Sequence, residues 1–250
     1  MTPDERQFYA ENGYLHVRGL LSPEEAAAYR AECHALAGRQ GQTDATWASV
    51  KGDTAIEHSH DVQFRSAAFT RLLVDPRLLA YASAIIGPNV QLHHNKMFIK
   101  PPAKGSPFPM HQDYPYFPHR DHSMIAVILH FDDAPVDRGC LTVYPGSQRR
   151  GPLPAEGSDH HLPRDEWPPE GATPLPARAG DAIFTHYLLV HGSGVNVSRE
   201  PRTTLLIQLR DPADVPLNDR HASRGQGMML AGIDPTERGF AFAWEGRNAA

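Results

Sequence analysis

From residue 89 to about residue 210, the sequence is a series of short runs of alternating apolar and polar residues, separated by proline and glycine. Such runs indicate β-strands, because side chains two residues apart lie on the same face of a strand. The preceding residues favour helices, and helices followed by many strands predict a mainly β sandwich or barrel with flanking helices. The clearest predicted strands are residues 90–100, 124–131, 140–144, 182–185 and 203–210.

The first 88 residues carry signals for the starts of helices. Thr2 and Ser22 each precede a proline and acidic residues, a combination that caps a helix and complements its dipole. Asp75 followed by Pro76 is a third start, and Gly87 ends the helix that it begins. The predicted elements are a helix ending at Gly13, a strand at 14–17, a helix from Ser22 to about Gly38, a loop with one or two short strands at 39–63, and helical segments within 64–86.

The chain has the length of an ordinary single domain. Its 250 residues contain no convincing interdomain linker, so we expect one domain over 1–250, with helix-rich support over 1–88 and a strand-rich core over 89–215. Seven prolines and little periodicity between 151 and 179 indicate a long ordered loop, so we predict a lid over 148–179. Residues 216–250 are expected to form a C-terminal extension.

Composition narrows the possible partners. The net charge of −5 provides no basic field for nucleic acid or anionic membranes. The sequence has no run of about eighteen apolar residues that would span a membrane, and its polar N-terminus is unlike a signal peptide. With only two cysteines, a disulfide framework is not expected. We therefore expect a cytoplasmic protein, monomeric or homodimeric, that acts on a small molecule.

One of the fifteen histidines stands in the pattern His111-Gln112-Asp113. Side chains two apart on an extended chain point to the same side, which would let this imidazole and this carboxylate converge on one metal ion. The pattern arises often by chance, so it indicates a site only in combination with other residues.

A second histidine would complete the set of two histidines and one carboxylate, which holds iron(II) on one face and leaves other positions open. His191 follows a strand-like apolar run and precedes Gly192-Ser193-Gly194, where a close approach is possible. A core histidine bonded to a carbonyl would give the same pattern, so both interpretations stay open at this point.

Eleven residues later, Arg202 opens a predicted strand. Its guanidinium matches a carboxylate with two hydrogen bonds, so beside a metal site it would anchor a dicarboxylate. A solvated arginine at a strand end is the alternative. His58 and His60 repeat the spacing of a metal pair, but no third ligand is suggested nearby. We interpret them as part of a solvated loop, and treat in the same way the other histidines His93, His94, His160, His161 and His186.

Several longer segments accompany these residues in a fixed order along almost the whole chain. They are 8–14, 19–22, 87–89, 100–102, 111–113 with 116–118, 137–148, 180–181 and 191–198. Together with Arg202 they resemble the phytanoyl-CoA dioxygenase family of iron(II)- and 2-oxoglutarate-dependent oxygenases. The segment 139–148 is especially similar to the family's Gly-Cys-Leu-x-Val-x-Pro-Gly-Ser-His, and the ordered set is far more specific than any single piece.

The resemblance implies a double-stranded β-helix, or jelly roll, with flanking helices. It implies an oxygenase that uses iron(II), 2-oxoglutarate and O2, and releases succinate and CO2. By the family pattern, His111, Asp113 and His191 would bind the iron. Because halogenating relatives lack the carboxylate, Asp113 favours hydroxylation, or a related desaturation or cyclisation.

The resemblance also assigns residues to the cosubstrate. Arg202 and Ser193 would hold the distal carboxylate of 2-oxoglutarate, and Lys96 falls near a position that often contacts it. Two departures concern the surroundings of the site. Leu129 stands where some members place a tryptophan beside the cosubstrate, and Gln148 stands where histidine is common.

The residues after Asp113 are candidates for the substrate pocket, because site residues favour loops. Packing of the loop is the alternative for each of them. They are Tyr114, Tyr116, Phe117, His119 and Arg120. Two other classes of function remain open: a cupin-like metal-dependent isomerase or hydrolase, and a non-catalytic binding protein on this scaffold. The cosubstrate anchor at Ser193 and Arg202 argues against both.

Overall fold

The computed structural model describes residues 1–39, 46–51, 54–157, 160–218 and 223–236. Within these ranges, the helices are α1 (Pro3–Asn12), α2 (Pro23–Arg39), α3 (Ala67–Leu73) and α4 (Pro76–Ile86). The strands are β1 (Tyr14–Val17), β2 (Thr46–Lys51), β3 (Thr54–His60), β4 (Val90–Lys100), β5 (Phe108–His111), β6 (Ile125–His130), β7 (Leu141–Val143), β8 (Thr173–Leu175), β9 (Ala182–His186), β10 (His191–Ser193), β11 (Arg202–Arg210) and β12 (Met229–Ala231).

The predicted helix starts are confirmed, and side chains cap them. Thr2 and Glu5 form a reciprocal capping box at α1, and Ser22 does the same with Glu25 at α2. The Asp75 carboxylate accepts from the amide of Arg77 at the start of α4. The α1 helix ends at Gly13 as predicted, whereas α2 continues to Arg39, one residue past the predicted stop. No helix in the described part of the chain is long and apolar enough to cross a membrane.

Two antiparallel sheets form the predicted jelly-roll core. The larger one has the strand order β1-β9-β6-β11-β4-β3-β2, with β12 also pairing to β4, and the smaller one has the order β5-β10-β7-β8. The five strands predicted most clearly agree with β4, β6, β7, β9 and β11 to within one residue at each end. The short strands β5, β8, β10 and β12 were not predicted, because three or four residues are too few to show alternation.

Alternation along the central strands divides the molecule into two layers. On β11, Leu205, Ile207 and Leu209 belong to the large apolar core that the helices cover. The intervening residues Arg202, Thr204 and Leu206 face a cavity between the two sheets. The period of two therefore places one side of this strand in the core and the other in the cavity.

Residues 39–63, predicted as a loop with one or two short strands, contain the hairpin β2–β3, which extends the larger sheet beside β4. Residues 40–45 and 52–53 of this prediction lie outside the described residues. His58 and His60 lie on β3, not in a solvated loop as interpreted from the sequence. Their Cα partners on β4 are Phe98 and Lys96, so they lie on the same face of the sheet as those residues.

The segment predicted to be a lid is anchored to the smaller sheet. Leu162 and Trp167 are buried with Met110 and Val190 in a separate apolar cluster. The amide of Leu162 also donates to the Met110 carbonyl oxygen at 2.8 Å. This part of the segment is therefore packed against β5.

Candidate metal centre

The two candidate histidine ligands are direct cross-strand neighbours. His111 ends β5 and His191 begins β10, and their Cα atoms are register partners. Such partners bring side chains close together on one face of a sheet. The ring centroids lie 4.3 Å apart, although the two residues are 80 positions apart in sequence.

Backbone carbonyls fix how both imidazoles are turned. Nδ1 of His111 donates to the Pro109 carbonyl oxygen at 2.7 Å. Nδ1 of His191 donates to the Leu189 carbonyl oxygen at 3.0 Å. In each case the acceptor is two residues earlier in the chain. With the proton held on Nδ1, the lone pair of Nε2 is left for a metal, which is the usual support for a metal-binding histidine.

The Asp113 carboxylate lies beside the two imidazoles because the chain turns after β5. The strand ends at His111, and Asp113 has helical backbone angles (φ −74°, ψ −22°) at the start of a 3-10 turn. The prediction that both side chains project from one extended strand was therefore wrong. The amide of Asp113 donates to the Tyr187 carbonyl oxygen at 2.9 Å, which fixes the turn. Its Oδ1 lies 3.8 Å from Nε2 of His111 and 3.8 Å from Nε2 of His191.

Gln112, between the two ligands, ties neighbouring segments to the centre. Its Nε2 donates to the carbonyl oxygens of Leu188 (2.6 Å) and Gly151 (3.0 Å), and its Oε1 accepts from the amide of Leu153. The side chain is buried, and its bond to Leu188 is shielded from water. The middle residue of the pattern thus holds the residues after 150 and the turn before His191 in place.

Gln208 was not anticipated from the sequence. It lies on β11, fully buried, and its Nε2 donates to Oδ2 of Asp113 at 2.7 Å. Oδ1 remains as the carboxylate oxygen that faces both histidines. Gln208 is on the same face of β11 as Arg202, so the alternation of that strand was the signal that could have identified it.

Burial also sets the protonation of the centre. The pKa of His111 is lowered to about 4, chiefly by burial and then by the neighbouring His191, with Asp113 opposing the shift. At neutral pH the ring is therefore uncharged, as a metal ligand must be. Among the described residues, His111, Asp113 and His191 are the group of three whose ligand atoms all lie within 4.8 Å of one another.

A cavity of about 100 Å³ opens beside these three residues. Among the predicted site residues, Ser193 and Arg202 line it together with the triad. Its other walls are Phe98, Phe108, Ile128, His130, Leu141, Gly192, Thr204 and Leu206.

Two buried basic side chains, Arg202 and Lys100, lie at one end of the cavity. Arg202 donates to the Gly139 carbonyl oxygen, and its Nε has no hydrogen-bond partner among the described residues. Burial lowers the pKa of Arg202 to about 10. Lys100, which the sequence did not single out for a role, is fully buried, and its Nζ lies 2.7 Å from both Ser193 Oγ and the Gly194 carbonyl oxygen. An unsatisfied guanidinium nitrogen and a buried amine that can take up a proton suit an anionic ligand.

Two residues that the resemblance places near the cosubstrate, Lys96 and Leu129, do not line the cavity. Lys96 does not line this cavity; its Nζ is 5.0 Å from the ring centroid of Phe98. Leu129 is buried in the core on the helix side of β6, so the expectation that it faces the cosubstrate was wrong. Its neighbours Ile128 and His130 point into the cavity instead, because adjacent residues of a strand face opposite ways.

Gln148, the other departure from the family pattern, lies away from the triad. Its Nε2 donates to the carbonyl oxygens of Ala10 and Glu11 at the end of α1. This glutamine therefore connects the N-terminal helix to the 3-10 turn that follows β7.

Of the five candidates for the substrate pocket, Tyr116 makes a ring contact with the triad, with its ring centroid 6.3 Å from that of His111. Phe117 packs against His93 and His94, at 5.0 Å from each. The other three lie in different surroundings: Tyr114 packs on Tyr187, His119 is buried beside His93, and Arg120 is exposed and paired with Asp121.

Known proteins resemble this chain along most of its length. A family model described as phytanoyl-CoA dioxygenase matches residues 9–204. The peroxisomal phytanoyl-CoA dioxygenase of Rattus norvegicus is 31% identical over 221 residues, covering 77% of this chain and 63% of that protein. The chain thus spans less than two thirds of the length of that relative. The ectoine dioxygenase of Bordetella bronchiseptica is 26% identical over 230 residues, covering 83% of this chain and 74% of that protein.

A solved structure extends the similarity to the fold. The epimerase SnoN, crystallised in complex with Fe3+, alpha ketoglutarate and nogalamycin RO, has a TM-score of 0.74 and 25% sequence identity. The match covers 92% of this chain and 96% of SnoN. A protein with a similar fold therefore binds both iron and alpha ketoglutarate.

Proposed function

The chain belongs to the phytanoyl-CoA dioxygenase family, and on that premise we propose that it is an iron(II)- and 2-oxoglutarate-dependent dioxygenase. We propose that it hydroxylates a small or medium-sized metabolite and releases succinate and CO2. The observation that carries this proposal is the convergence of two imidazole nitrogens and one carboxylate oxygen beside a cavity whose far end is cationic.

The donor set suits iron(II). Two neutral imidazoles and one carboxylate on one side of an ion leave positions open for other ligands, which is the arrangement of non-haem iron oxygenases. His111, Asp113 and His191 would hold the metal through Nε2, Oδ1 and Nε2. When bound, the metal supplies the redox chemistry by which O2 and 2-oxoglutarate oxidise the substrate.

The opposite end of the cavity suits the distal carboxylate of 2-oxoglutarate. Arg202 would supply a charge-assisted hydrogen bond through its unsatisfied Nε, and Ser193 a hydroxyl. Lys100 keeps Ser193 in place, because its amino group donates hydrogen bonds to both the Ser193 hydroxyl and the Gly194 carbonyl oxygen. Apolar walls from Phe98, Phe108 and other residues would exclude water from the space between.

Asp113 favours hydroxylation over halogenation, because it supplies the carboxylate that halogenating relatives lack. The name of SnoN, an epimerase, shows that enzymes of this fold also perform other reactions. Analysis of the product separates the possibilities. Hydroxylation adds one oxygen atom to the substrate, whereas epimerisation leaves its mass unchanged.

We propose further that the protein works in the cytoplasm, as a monomer or homodimer, without nucleic acid or membrane partners. Two observations support this view: both cysteines are free and buried, and the net charge is −5. Size-exclusion chromatography with light scattering measures the oligomeric state directly.

The test of the proposed function is a spectroscopic titration. Purified protein with iron(II), kept anaerobic, should develop a weak visible charge-transfer band when 2-oxoglutarate is added. The Asp113→Ala variant should not support substrate hydroxylation, and Arg202→Met should need at least about tenfold more 2-oxoglutarate, since a charge-assisted bond is lost. A folded wild-type protein that gives no band would overturn the proposal.

A substrate is found by screening metabolites for those that stimulate succinate formation. The Gln7→Ala variant is a suitable control, because Gln7 lies on the exposed surface of α1, far along the chain from the triad. It should match the wild type in the band and in succinate formation.

A further inference from the structure

A chain of ring contacts runs around the side of the cavity on which β3 lies. It starts at the candidate ligand His111, passes through the turn after Asp113 and the histidines of β4 and β3, and ends at Phe98, which lines the cavity. Successive ring centroids lie 5.0 to 6.3 Å apart. We call this arrangement the vestibule; its rings are His111, Tyr116, Phe117, His94, His60, His58 and Phe98.

Lys96 places an ammonium group beside the rings of the vestibule. Its register partners are His60 on β3 and Leu206 on β11, so its side chain lies on the same face as both. Its Nζ is 5.0 Å from the ring centroid of Phe98. Among the residues that the structure describes, no carboxylate pairs with it.

Burial lowers the pKa of Lys96 to about 8, so the group is still mostly protonated at pH 7. The neighbouring His58 has its pKa lowered to about 3, by burial and then by Lys96 and His60, and is uncharged. The vestibule therefore offers one positive charge and several neutral rings. A half-buried ammonium group without a carboxylate is costly unless a ligand supplies the anion.

We propose that the vestibule binds the substrate, and that the substrate is a small organic acid whose carboxylate pairs with Lys96 while its body lies against the rings. This inference rests on the proposed function. A carboxylate suits the site better than a phosphate, since one carboxylate charge is balanced by the single charge of Lys96, whereas a phosphate dianion would keep an uncompensated charge.

The position of Lys96 separates it from the cosubstrate anchor. Lys96 and Lys100 are four residues apart on β4, about 13 Å along the strand. Arg202 is the register partner of Lys100 on the neighbouring strand, at the far end of the cavity. Phe98 lies between the two lysines on β4. The expectation that Lys96 contacts 2-oxoglutarate is thereby replaced by a role toward the substrate.

The experiment uses the protein loaded with iron(II) and saturating 2-oxoglutarate under anaerobic conditions, so that the Arg202 end is occupied. Calorimetry compares benzoate and cyclohexanecarboxylate with their neutral amides and with phenyl phosphate. We expect at least one carboxylate to bind about tenfold or more tightly than its amide, the strength of a charge-assisted bond. We expect the Lys96→Met variant to lose this preference and Lys96→Arg to keep most of it.

Lys104→Met is the matched control, because Lys104 is exposed, and it should keep the preference. The 2-oxoglutarate titration of the charge-transfer band should be the same in Lys96→Met as in the wild type. Equal binding of acids and amides, a preference for phenyl phosphate, or weaker 2-oxoglutarate binding in Lys96→Met would each overturn the inference. Absence of the band in the wild type would instead mark failure of the proposed function.

Discussion

Gln208 donates from Nε2 to Oδ2 of Asp113 at 2.7 Å, and this contact decides which carboxylate oxygen faces the two histidines. Gln208 is fully buried, and its Oε1 has no partner among the described residues. The reverse orientation of the amide would set an oxygen against the carboxylate, so the donating orientation is the stable one. Because Gln208 and Arg202 lie on the same strand, β11 supports both ends of the proposed active site.

Replacement of Gln208 by leucine should weaken metal binding. The carboxylate would lose the bond that orients it, and loss of such a supporting contact typically costs about 10- to 100-fold in metal affinity. Anaerobic titration of the apoprotein with iron(II) or cobalt(II) measures the change. The Gln91→Leu variant is the control, since Gln91 is a buried glutamine that bonds Arg210 and not the triad. Equal metal affinity in the wild type and Gln208→Leu would contradict this role.

Binding of 2-oxoglutarate should be accompanied by uptake of a proton at Lys100. Burial, and then the nearby Arg202, lower the pKa of Lys100 to about 5, so the amine is uncharged in the ligand-free protein at pH 7. A dianion beside Ser193 and Arg202 stabilises the ammonium form and raises this pKa. Calorimetric titrations in two buffers of different ionisation enthalpy should therefore show net uptake of up to about one proton.

The Lys100→Met variant should bind 2-oxoglutarate without that uptake. It should also bind more weakly, because Ser193 would lose its partner. A buffer-independent enthalpy in the wild type would show that Lys100 does not change its protonation.

A close approach of two backbones supports the cosubstrate anchor. Gly139 has a φ of +68°, and a Cβ added there would overlap the Gly194 carbonyl oxygen. The carbonyl of Gly139 also accepts from Arg202. The Gly139→Ala variant should therefore displace both sides of the anchor and raise the 2-oxoglutarate requirement by about tenfold, as for loss of one hydrogen bond.

Gly19→Ala provides the control for Gly139→Ala. Gly19 has a φ of +60°, but no atom lies within 4 Å of an added Cβ. This variant should show only the backbone cost of about 1–2 kcal/mol in thermal or denaturant stability, with an unchanged 2-oxoglutarate titration. If the 2-oxoglutarate requirement rises by a similar factor in both variants, the contact with Gly194 is not the cause.

The sequence predicted the three candidate ligands, but not the geometry that joins them. His111 and His191 meet because β5 and β10 are neighbours, and these strands are too short to be recognised from alternation. Asp113 lies in a turn, so the spacing of two residues was informative for a different reason from the one expected. Leu129 was placed wrongly because a shift of one residue exchanges the two faces of a strand.

The histidines of β3 show a second limit. A strand is usually recognised by an apolar face, but on β3 the face that lies beside Phe98 and Lys96 carries the buried His58 and the exposed His60. A strand with histidines on this face therefore resembles a polar loop in the sequence. Gln208 is a polar residue within the apolar run 205–209 of β11, and that interruption was the available signal. Lys100 ends a strand with several other polar residues, so no such interruption marked it.

Stability should depend on Asp181 at low pH. Its carboxylate accepts from the amides of Gly19 (2.8 Å) and Arg178 (2.9 Å) and contacts Nε2 of His16 at 2.9 Å. Burial raises the pKa of Asp181, but these hydrogen bonds outweigh it and the net shift is downward. A lowered folded-state pKa means that the stabilisation is present above the unfolded-state pKa of about 4 and is lost as the pH falls through the folded value.

Asp181→Asn should therefore lower the free energy of unfolding by about 1–3 kcal/mol at pH 7, the range for hydrogen bonds to a charged group. The difference from the wild type should shrink as the pH falls below the unfolded-state pKa of about 4 and through the lower folded-state pKa, because the wild-type carboxyl then also becomes neutral. Urea denaturation across this range measures it. Asp165→Asn, at an exposed position, should show little change at either pH. A difference between Asp181→Asn and the wild type that stays constant with pH would mean that shape, and not charge, makes Asp181 important at the corner between β1 and β9.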